Sequence, residues 1–341
     1  MSDASDTKSV AILGAGSWGI TLACHLKRCG SDVSLWEFRP EVAERLRRER
    51  QNPDLLAGAI LPEEILVSSD LEDLVSGQVG MLVFAVPSHV LREVARKVAP
   101  FIVNAPLIVS GVKGIENGTF RRMSEVLAEE LPDNLRNRTA VLSGPSHAEE
   151  VSRQIPTSVV VASSDRDVAE AVQRRFISPY FRVYTDQDVV GVELGGALKN
   201  IIAIAAGISD GLGFGDNAKG ALLTRGLAEI TRLGVSMGAE ASTFAGLSGV
   251  GDLITTCLSR YSRNRYVGQE IGKGKSLSQV LEGMVMIAEG VMTTKAAHQL
   301  AQQYHVEMPI TNEVYAVLFE GKDPARAVAD LMMRAAKAEK W

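Results

Sequence analysis

At 341 residues the chain is too long for one ordinary core and implies about two domains, and its 46% apolar and 23% charged content is that of a soluble globular protein. A net charge of −5 gives no global pull toward nucleic acid or anionic membrane, so any anion must be held by a local site, which favours a small ligand. Three cysteines, Cys24, Cys29 and Cys257, are an odd number without a C-x-x-C pair; they suggest neither a disulfide framework nor a thiolate zinc site, and fit a reducing cytoplasm.

Met1 to Lys8 is polar, lacks an apolar core, and reads as a tail and not a signal peptide. The apolar run Val10 to Leu13 then ends in Gly14-Ala15-Gly16-Ser17-Trp18-Gly19, and Ile20, Leu22, Ala23 and Leu26 continue at helical spacing. A strand that enters a helix through G-x-G-x-x-G is the first turn of a dinucleotide-binding unit. Gly14 permits the tight turn, Gly16 lets the backbone approach a pyrophosphate, Gly19 lets the helix pack closely, and the open amides at the helix start receive the anion. A second strand, Val33 to Trp36, ends on Glu37 at the fingerprint's acidic position, about twenty residues on.

Pro40 to Arg50 reads as a charged surface helix with proline in its first turn. Strand Ile65 to Val67 and a short helix Asp70 to Val75 follow, and Met81 to Val86 is a continuous apolar run of the kind buried on both faces of a sheet. Helix Val90 to Val98, strand Leu107 to Val109, helix Met123 to Glu130 and strands Ala140 to Leu142, Val159 to Val161 and Phe181 to Tyr184 complete the alternation. This order predicts a mostly parallel, doubly wound, Rossmann-like α/β domain over 1–188, with ligands beyond the carboxyl ends of its strands. The loops holding Pro87, Lys113 and Ser146 lie at that edge.

Residues 189–341 read as an all-helical domain. Val189 to Ile208 has about the length of a membrane span, but it carries Glu193, Lys199 and Asn200 and four glycines, so a buried central helix is expected. Further helices are expected near Ala218 to Leu233, Leu277 to Leu281, Thr293 to Gln303, Thr311 to Phe319 and Ala325 to Lys337.

Lys199 is the most informative ionisable group. Gly195 and Gly196 stand one turn before Lys199 and Asn200, and this predicts a bare-backbone groove through which a small ligand reaches the lysine. In apolar surroundings the amine loses proton affinity and can exchange a proton near neutral pH; the alternative is a lysine that snorkels to solvent. Lys113, between Gly111 and Gly114, is either at the ligand edge or an ordinary turn lysine. Ser259 to Arg265 places three arginines among hydroxyls and an amide, suited to a phosphate or merely a solvated basic face. Asp252 is either a helix cap or the partner that orients a lysine. His147 reads as lining a loop, and the five histidines show no metal spacing.

Together these segments resemble the NAD(P)-dependent glycerol-3-phosphate dehydrogenases of the bacterial cytosolic type. The resemblance is carried by GAGSWG (14–19), VFAVPS (83–88), SGVKGIE (110–116), LSGPSHAEEV (142–151), the stretch 191–230, GLSGVGDLITTC (246–257), YSRNR (261–265), AEG (288–290) and EMPI (307–310). It implies reversible hydride transfer between NAD(P)H and C2 of dihydroxyacetone phosphate, supplying sn-glycerol 3-phosphate for phospholipid synthesis without a metal. It implies Lys199 as proton donor and acceptor, Lys113 at both nicotinamide and substrate, and Asp252 beside them. Gly144, Ser146, Asp252, Ser262, Arg263 and Asn264 would hold the substrate, and Ser17, Trp18, Ala148, Arg263, Ile287 and Glu289 the cofactor.

Glu37-Phe38-Arg39 departs from the small residue followed by Arg or His found in many relatives. An acid suits a ribose 2′-hydroxyl and repels a 2′-phosphate, with Arg39 a partial offset, so NADH is expected over NADPH. Rival readings are a hydroxy-acid or opine dehydrogenase and a non-catalytic NAD(H) sensor. The glycine-rich helical half leaves room for a homodimer.

Overall fold

The computed structural model describes residues 8–284, 286–336, 338 and 339. Most of the predicted polar tail, Met1 to Thr7, lies outside them. The sheet half contains β1 (Ser9–Leu13), α1 (Ser17–Arg28), β2 (Asp32–Trp36), α2 (Pro40–Glu49), β3 (Leu66–Ser68), α3 (Leu71–Val75), β4 (Met81–Phe84) and α4 (Leu91–Val98). It continues with β5 (Leu107–Ser110), α5 (Met123–Glu130), β6 (Thr139–Ser143), α6 (Ala148–Val151), β7 (Thr157–Ala162), α7 (Arg166–Phe176) and β8 (Phe181–Asp186). The eight strands lie in the order β3-β2-β1-β4-β5-β6-β7-β8, all pairs parallel except β6–β7.

Alternation along β1 shows why such strands read as unbroken apolar runs. Val10 and Ile12 enter one core with Leu22, Leu35 and Phe176, while Ala11 and Leu13 enter another with Leu82, Leu91 and Val126. Both faces are covered by helices, so no position on the strand is free to be polar. The topological switch falls between β1 and β4, where the order reverses and a crevice must open.

After β8 come α8 (Val189–Gly211), α9 (Asp216–Ser236), α10 (Asp252–Leu258), α11 (Arg263–Gly272), α12 (Leu277–Glu282), α13 (Glu289–Gln303), α14 (Pro309–Phe319) and α15 (Pro324–Met332). Although α8 is long and apolar enough to cross a membrane, 83% of its most apolar window is buried inside the protein. Its Asp188 cap accepts from the Gly191 amide with one oxygen and from Thr243 Oγ1 and the Glu240 amide with the other. Val192 packs with Val141, Val160 and Ala162, and Glu193 accepts from Arg122 and from both the amide and hydroxyl of Ser124. The first turns of α8 are thereby fastened to the sheet half.

Four elements lie outside the predicted set: α6, α7, α10 and α11. The last matters most, because it is packed against α8 at backbone distance. A Cβ on Gly207 would stand 2.0 Å from the Arg265 carbonyl oxygen, and one on Gly268 1.9 Å from that of Ile204. The glycines are there to let two helix backbones touch. The predicted helix Ala325 to Lys337 stops at Met332, and Lys337 is outside the described residues.

Overpacking this crossing costs about 1–3 kcal/mol in typical cores. Gly207→Ala and Gly268→Ala should each lower the thermal midpoint measurably in a calorimetric or circular-dichroism melt, whereas Gly274→Ala, where a Cβ meets nothing but φ is +98°, tests strain without crowding. An unchanged melt for both crowded sites would contradict the packing described.

Candidate functional site

A cleft of about 1190 Å³ runs along the carboxyl ends of β1, β2, β4 and β5 and under α8, α10, α11 and the start of α13. Its far end is formed by the glycine turn. Gly14 has φ +113°, and a Cβ there would lie 2.7 Å from the Ala85 carbonyl oxygen; one on Gly19 would lie 1.7 Å from that of Gly14. Gly16 differs: a Cβ would meet nothing within 4 Å, and the residue caps α1 with no side-chain acceptor on the helix amides. Those amides point into open cleft with no acid in the first turn, a fit for a pyrophosphate.

Glu37 is buried at the end of β2, and its Oε1 accepts from Arg39 Nε at 2.8 Å and from the Arg39 amide at 3.2 Å. Arg39 in turn lies over the exposed Phe38 ring. The acid and the offsetting arginine are therefore one ion pair.

At the near end, two lysines share one carboxylate. Lys199 Nζ donates to Asp252 Oδ1 and to Thr256 Oγ1, both at 2.6 Å, and Lys113 Nζ donates to Asp252 Oδ2 at 2.6 Å and to the Gly144 carbonyl at 3.0 Å. Lys199 is only 6% exposed, which excludes the snorkelling alternative, and the pairing of Lys113 excludes the turn-lysine alternative. Asp252 is the first residue of α10 and caps nothing; its carboxylate faces the lysines, with Thr256 one turn on. Burial pushes the Lys199 amine down to about 8, against the opposing pull of Asp252, while Lys113 works with burial. Burial acts to raise Asp252, but the two lysines outweigh it and hold the carboxyl below its usual range.

The route to Lys199 is not the predicted glycine groove. A Cβ on Gly195 would stand 2.6 Å from the Ser248 carbonyl oxygen and one on Gly196 2.6 Å from Ser143 Oγ, so protein fills that surface. Lys199 instead meets the cleft beside Asn200 and Thr256.

The three arginines of Ser259 to Arg265 do not pool either. Arg260 packs on Tyr261 at the surface, and Arg265 pairs with Asp210. Only Arg263 enters the cleft, because the helix that starts there sends successive residues about 100° apart. Asn264 Nδ2 donates to Asn200 Oδ1, and its Oδ1 accepts from the Gly290 amide, which fixes both ends of its amide. Ser262 caps α11 by accepting from the Arg265 amide.

Comparison with known proteins follows the same two halves. Residues 9–169 match the family profile "NAD-dependent glycerol-3-phosphate dehydrogenase N-terminus" and 188–329 the corresponding C-terminus. The chain is 52% identical over 331 residues to the glycerol-3-phosphate dehydrogenase [NAD(P)+] of Syntrophotalea carbinolica, covering 97% of this chain and 99% of that one. It is 54% identical over 327 residues to that of Moorella thermoacetica, covering 96% of each. The crystal structure of glycerol-3-phosphate dehydrogenase from Coxiella burnetii superposes with a TM-score of 0.91 at 39% identity, over 96% of this chain and 99% of that one.

The chain belongs to the NAD-dependent glycerol-3-phosphate dehydrogenase family.

Within this family member the cleft brings together Gly14, Gly16, Ser17, Trp18, Glu37, Phe38, Arg39, Lys113, Ser146, Ala148, Lys199, Ser262, Arg263, Asn264, Ile287 and Glu289. Gly19 lies beneath the turn, Asp252 stands behind the lysines, and Gly144 contributes its carbonyl to Lys113. Residues not assigned from sequence also face it: Asn200, Thr256 and His147. The His147 ring is held neutral, its pKa pushed down to about 4 by burial and by Lys199, against the pull of Asp252. Thr256 had a signal, since Asp252 and Thr256 are one helical turn apart.

Asp252→Asn removes the anion that supports both ammonium groups. The Lys199 pKa should then fall below about 8 in an NMR titration of isotopically labelled lysine; an unchanged or higher value would show that Asp252 does not hold the proton there.

Proposed function

We propose that the protein interconverts dihydroxyacetone phosphate and sn-glycerol 3-phosphate with a nicotinamide dinucleotide held at the glycine turn, residues 1–188 binding the cofactor and 189–341 supplying substrate and proton-transfer groups. The observation that carries this reading is a buried lysine on a shared carboxylate, in one cleft with an open helix N-terminus and with Arg263, which makes no ion pair among the described residues. A carboxylate-directed rival is not favoured by relatives that are 52% and 54% identical over nearly the whole chain.

When bound, the dinucleotide supplies or accepts the hydride. Gly14, Gly16, Ser17 and Trp18 would hold its pyrophosphate side, and Ala148, Ile287 and Glu289 its other wall. Lys199 has two of its donor directions taken by Asp252 and Thr256, and a third is left for the substrate oxygen at C2. In reduction the ammonium gives its proton to the forming alkoxide; in oxidation the neutral amine takes the hydroxyl proton. Lys113 places a second positive charge near that oxygen, as Asp252 fixes both nitrogens. Arg263, Asn264 and Ser262, with Ser146 and the Gly144 strand end, would hold the phosphate and the carbon chain. A reducing cytoplasm as its place is supported by Cys24, Cys29 and Cys257, all free thiols.

For the cofactor we propose NADH. Among the described residues Glu37 Oε2 takes no hydrogen bond and is available to a ribose hydroxyl, while Arg39 is committed to Glu37 and not to a 2′-phosphate. Steady-state kcat/KM should favour NADH over NADPH by about tenfold or more, roughly the effect of 1.4 kcal/mol; a clear NADPH advantage would reject the assignment.

Turnover is tested by nicotinamide oxidation on addition of dihydroxyacetone phosphate. For reduction, kcat/KM should fall as pH rises through about 8, where free Lys199 loses its proton, and for oxidation it should rise over the same range. Lys199→Ala should lower kcat by about 100-fold or more with NADH affinity kept. Near-normal kcat in that variant would remove Lys199 from the mechanism.

A further inference from the structure

At Glu289, on the cofactor wall of the cleft, one contact spans the two halves of the molecule and takes no part in the proton transfer above. Ser88, in the turn after β4, donates its backbone N–H to Glu289 Oε1 at 3.0 Å and its hydroxyl to Glu289 Oε2. Both oxygens of the carboxylate that opens α13 are thus occupied by one residue. Ser88 is itself fixed: it is buried, and a Cβ on Gly114, the residue after Lys113, would stand 2.5 Å from the Ser88 Cβ.

Arg263 is within electrostatic reach of the same carboxylate, and Glu289 acts on it more strongly than Glu149 does. Both Glu289 and Arg263 face the cleft. Even so, Arg263 makes no ion pair and no hydrogen bond with any carboxylate among the described residues. A guanidinium and a carboxylate that share a cleft normally find each other, because charge-assisted fork pairing is among the strongest side-chain contacts. Here Ser88 already supplies one donor to each oxygen of the carboxylate and sets its direction.

We propose that Ser88 is a positioning residue that holds Glu289 off Arg263 and so keeps the guanidinium free for the substrate phosphate, an inference that rests on the reading of Arg263 as the phosphate-binding cation. Without the Ser88 hydroxyl, Glu289 loses a strong donor, and Arg263 is the cation positioned to replace it. The resulting internal pair competes with phosphate for the same N–H groups. Ser88 acts only through Glu289.

The test is a double-mutant cycle on the full chain, read by calorimetric binding of inorganic phosphate and by KM for dihydroxyacetone phosphate at saturating NADH. Ser88→Ala should weaken phosphate binding and raise that KM by about five- to tenfold, the scale of one ordinary hydrogen bond, with kcat altered less than about twofold. In Ser88→Ala/Glu289→Gln the loss should largely disappear relative to Glu289→Gln alone, since a neutral amide forms no ion pair with arginine. Ser88→Cys, which keeps the volume but weakens the donor, should shift both readouts in the same direction as alanine, and it serves if the alanine variant does not fold. An equal loss with and without Glu289→Gln would mean that Ser88 only packs, and unchanged phosphate affinity in Ser88→Ala and Ser88→Cys would equally overturn the proposal. If wild type ignores inorganic phosphate, or Arg263→Ala binds it as well as wild type, the phosphate role of Arg263 fails instead, and that outcome is separate because it does not involve Ser88.

Discussion

One carboxylate organises the reacting end of this molecule. Asp252 is buried, and two ammonium groups converge on it from opposite halves of the chain, Lys113 from the sheet and Lys199 from the helical core. Buried charges are costly unless each is paired and hydrogen-bonded, and removing one member strands the others. Asp252 has each oxygen taken by one lysine, and Thr256 supports the same cluster. The arrangement therefore constrains the relative position of the two halves as well as the proton affinity of Lys199. Its cost in desolvation is what leaves that amine with a pKa of about 8, where it can both give and take a proton.

The Arg263 end of the cleft depends on a different constraint, the backbone contact of α8 with α11. Gly207, Gly211, Gly268 and Gly272 bring the helices together so closely that no side chain separates them. This puts the N-terminal turn of α11 directly beside the Asn200 turn of α8, and the Asn200–Asn264–Gly290 hydrogen-bond chain follows from that placement. Arg263 then enters the cleft by helical phase alone, while Arg265, two residues on, turns away to Asp210. Lys199 and Arg263 are spaced by the geometry of a helix crossing and not by loops.

The sheet half was legible because its signals are local. A fully buried parallel strand has no polar face, so Val10 to Leu13 and Met81 to Phe84 stand out as apolar runs, and the turn after β1 needs glycine for steric reasons that any sequence shows. Lys199 was legible as a charge in an apolar helix. What stayed hidden depends on contacts between distant segments. Gly195 and Gly196 announced a bare surface, but only the fold shows that Ser248 and Ser143 cover it. The helical nature of 263–272 was masked because glycine, poor for a helix by itself, is favoured there by the neighbour that approaches. Asp252 could be read two ways until its partners, 53 and 139 residues away, were in place.

Those separations carry a consequence for how the chain acquires its activity. Lys113 meets Asp252 across 139 residues, and Ser88 meets Glu289 across 201. Closing spans of that size is entropically expensive and slow compared with forming helices or neighbouring strands. An emerging chain can therefore complete β1 to β8 and its glycine turn long before Arg263 and Glu289 have been synthesised. Such a fragment would carry the finished glycine turn beside a Lys113 that has not yet met Asp252. The contacts that join the sheet half to α10 and α13 are thus completed only after the strands have paired.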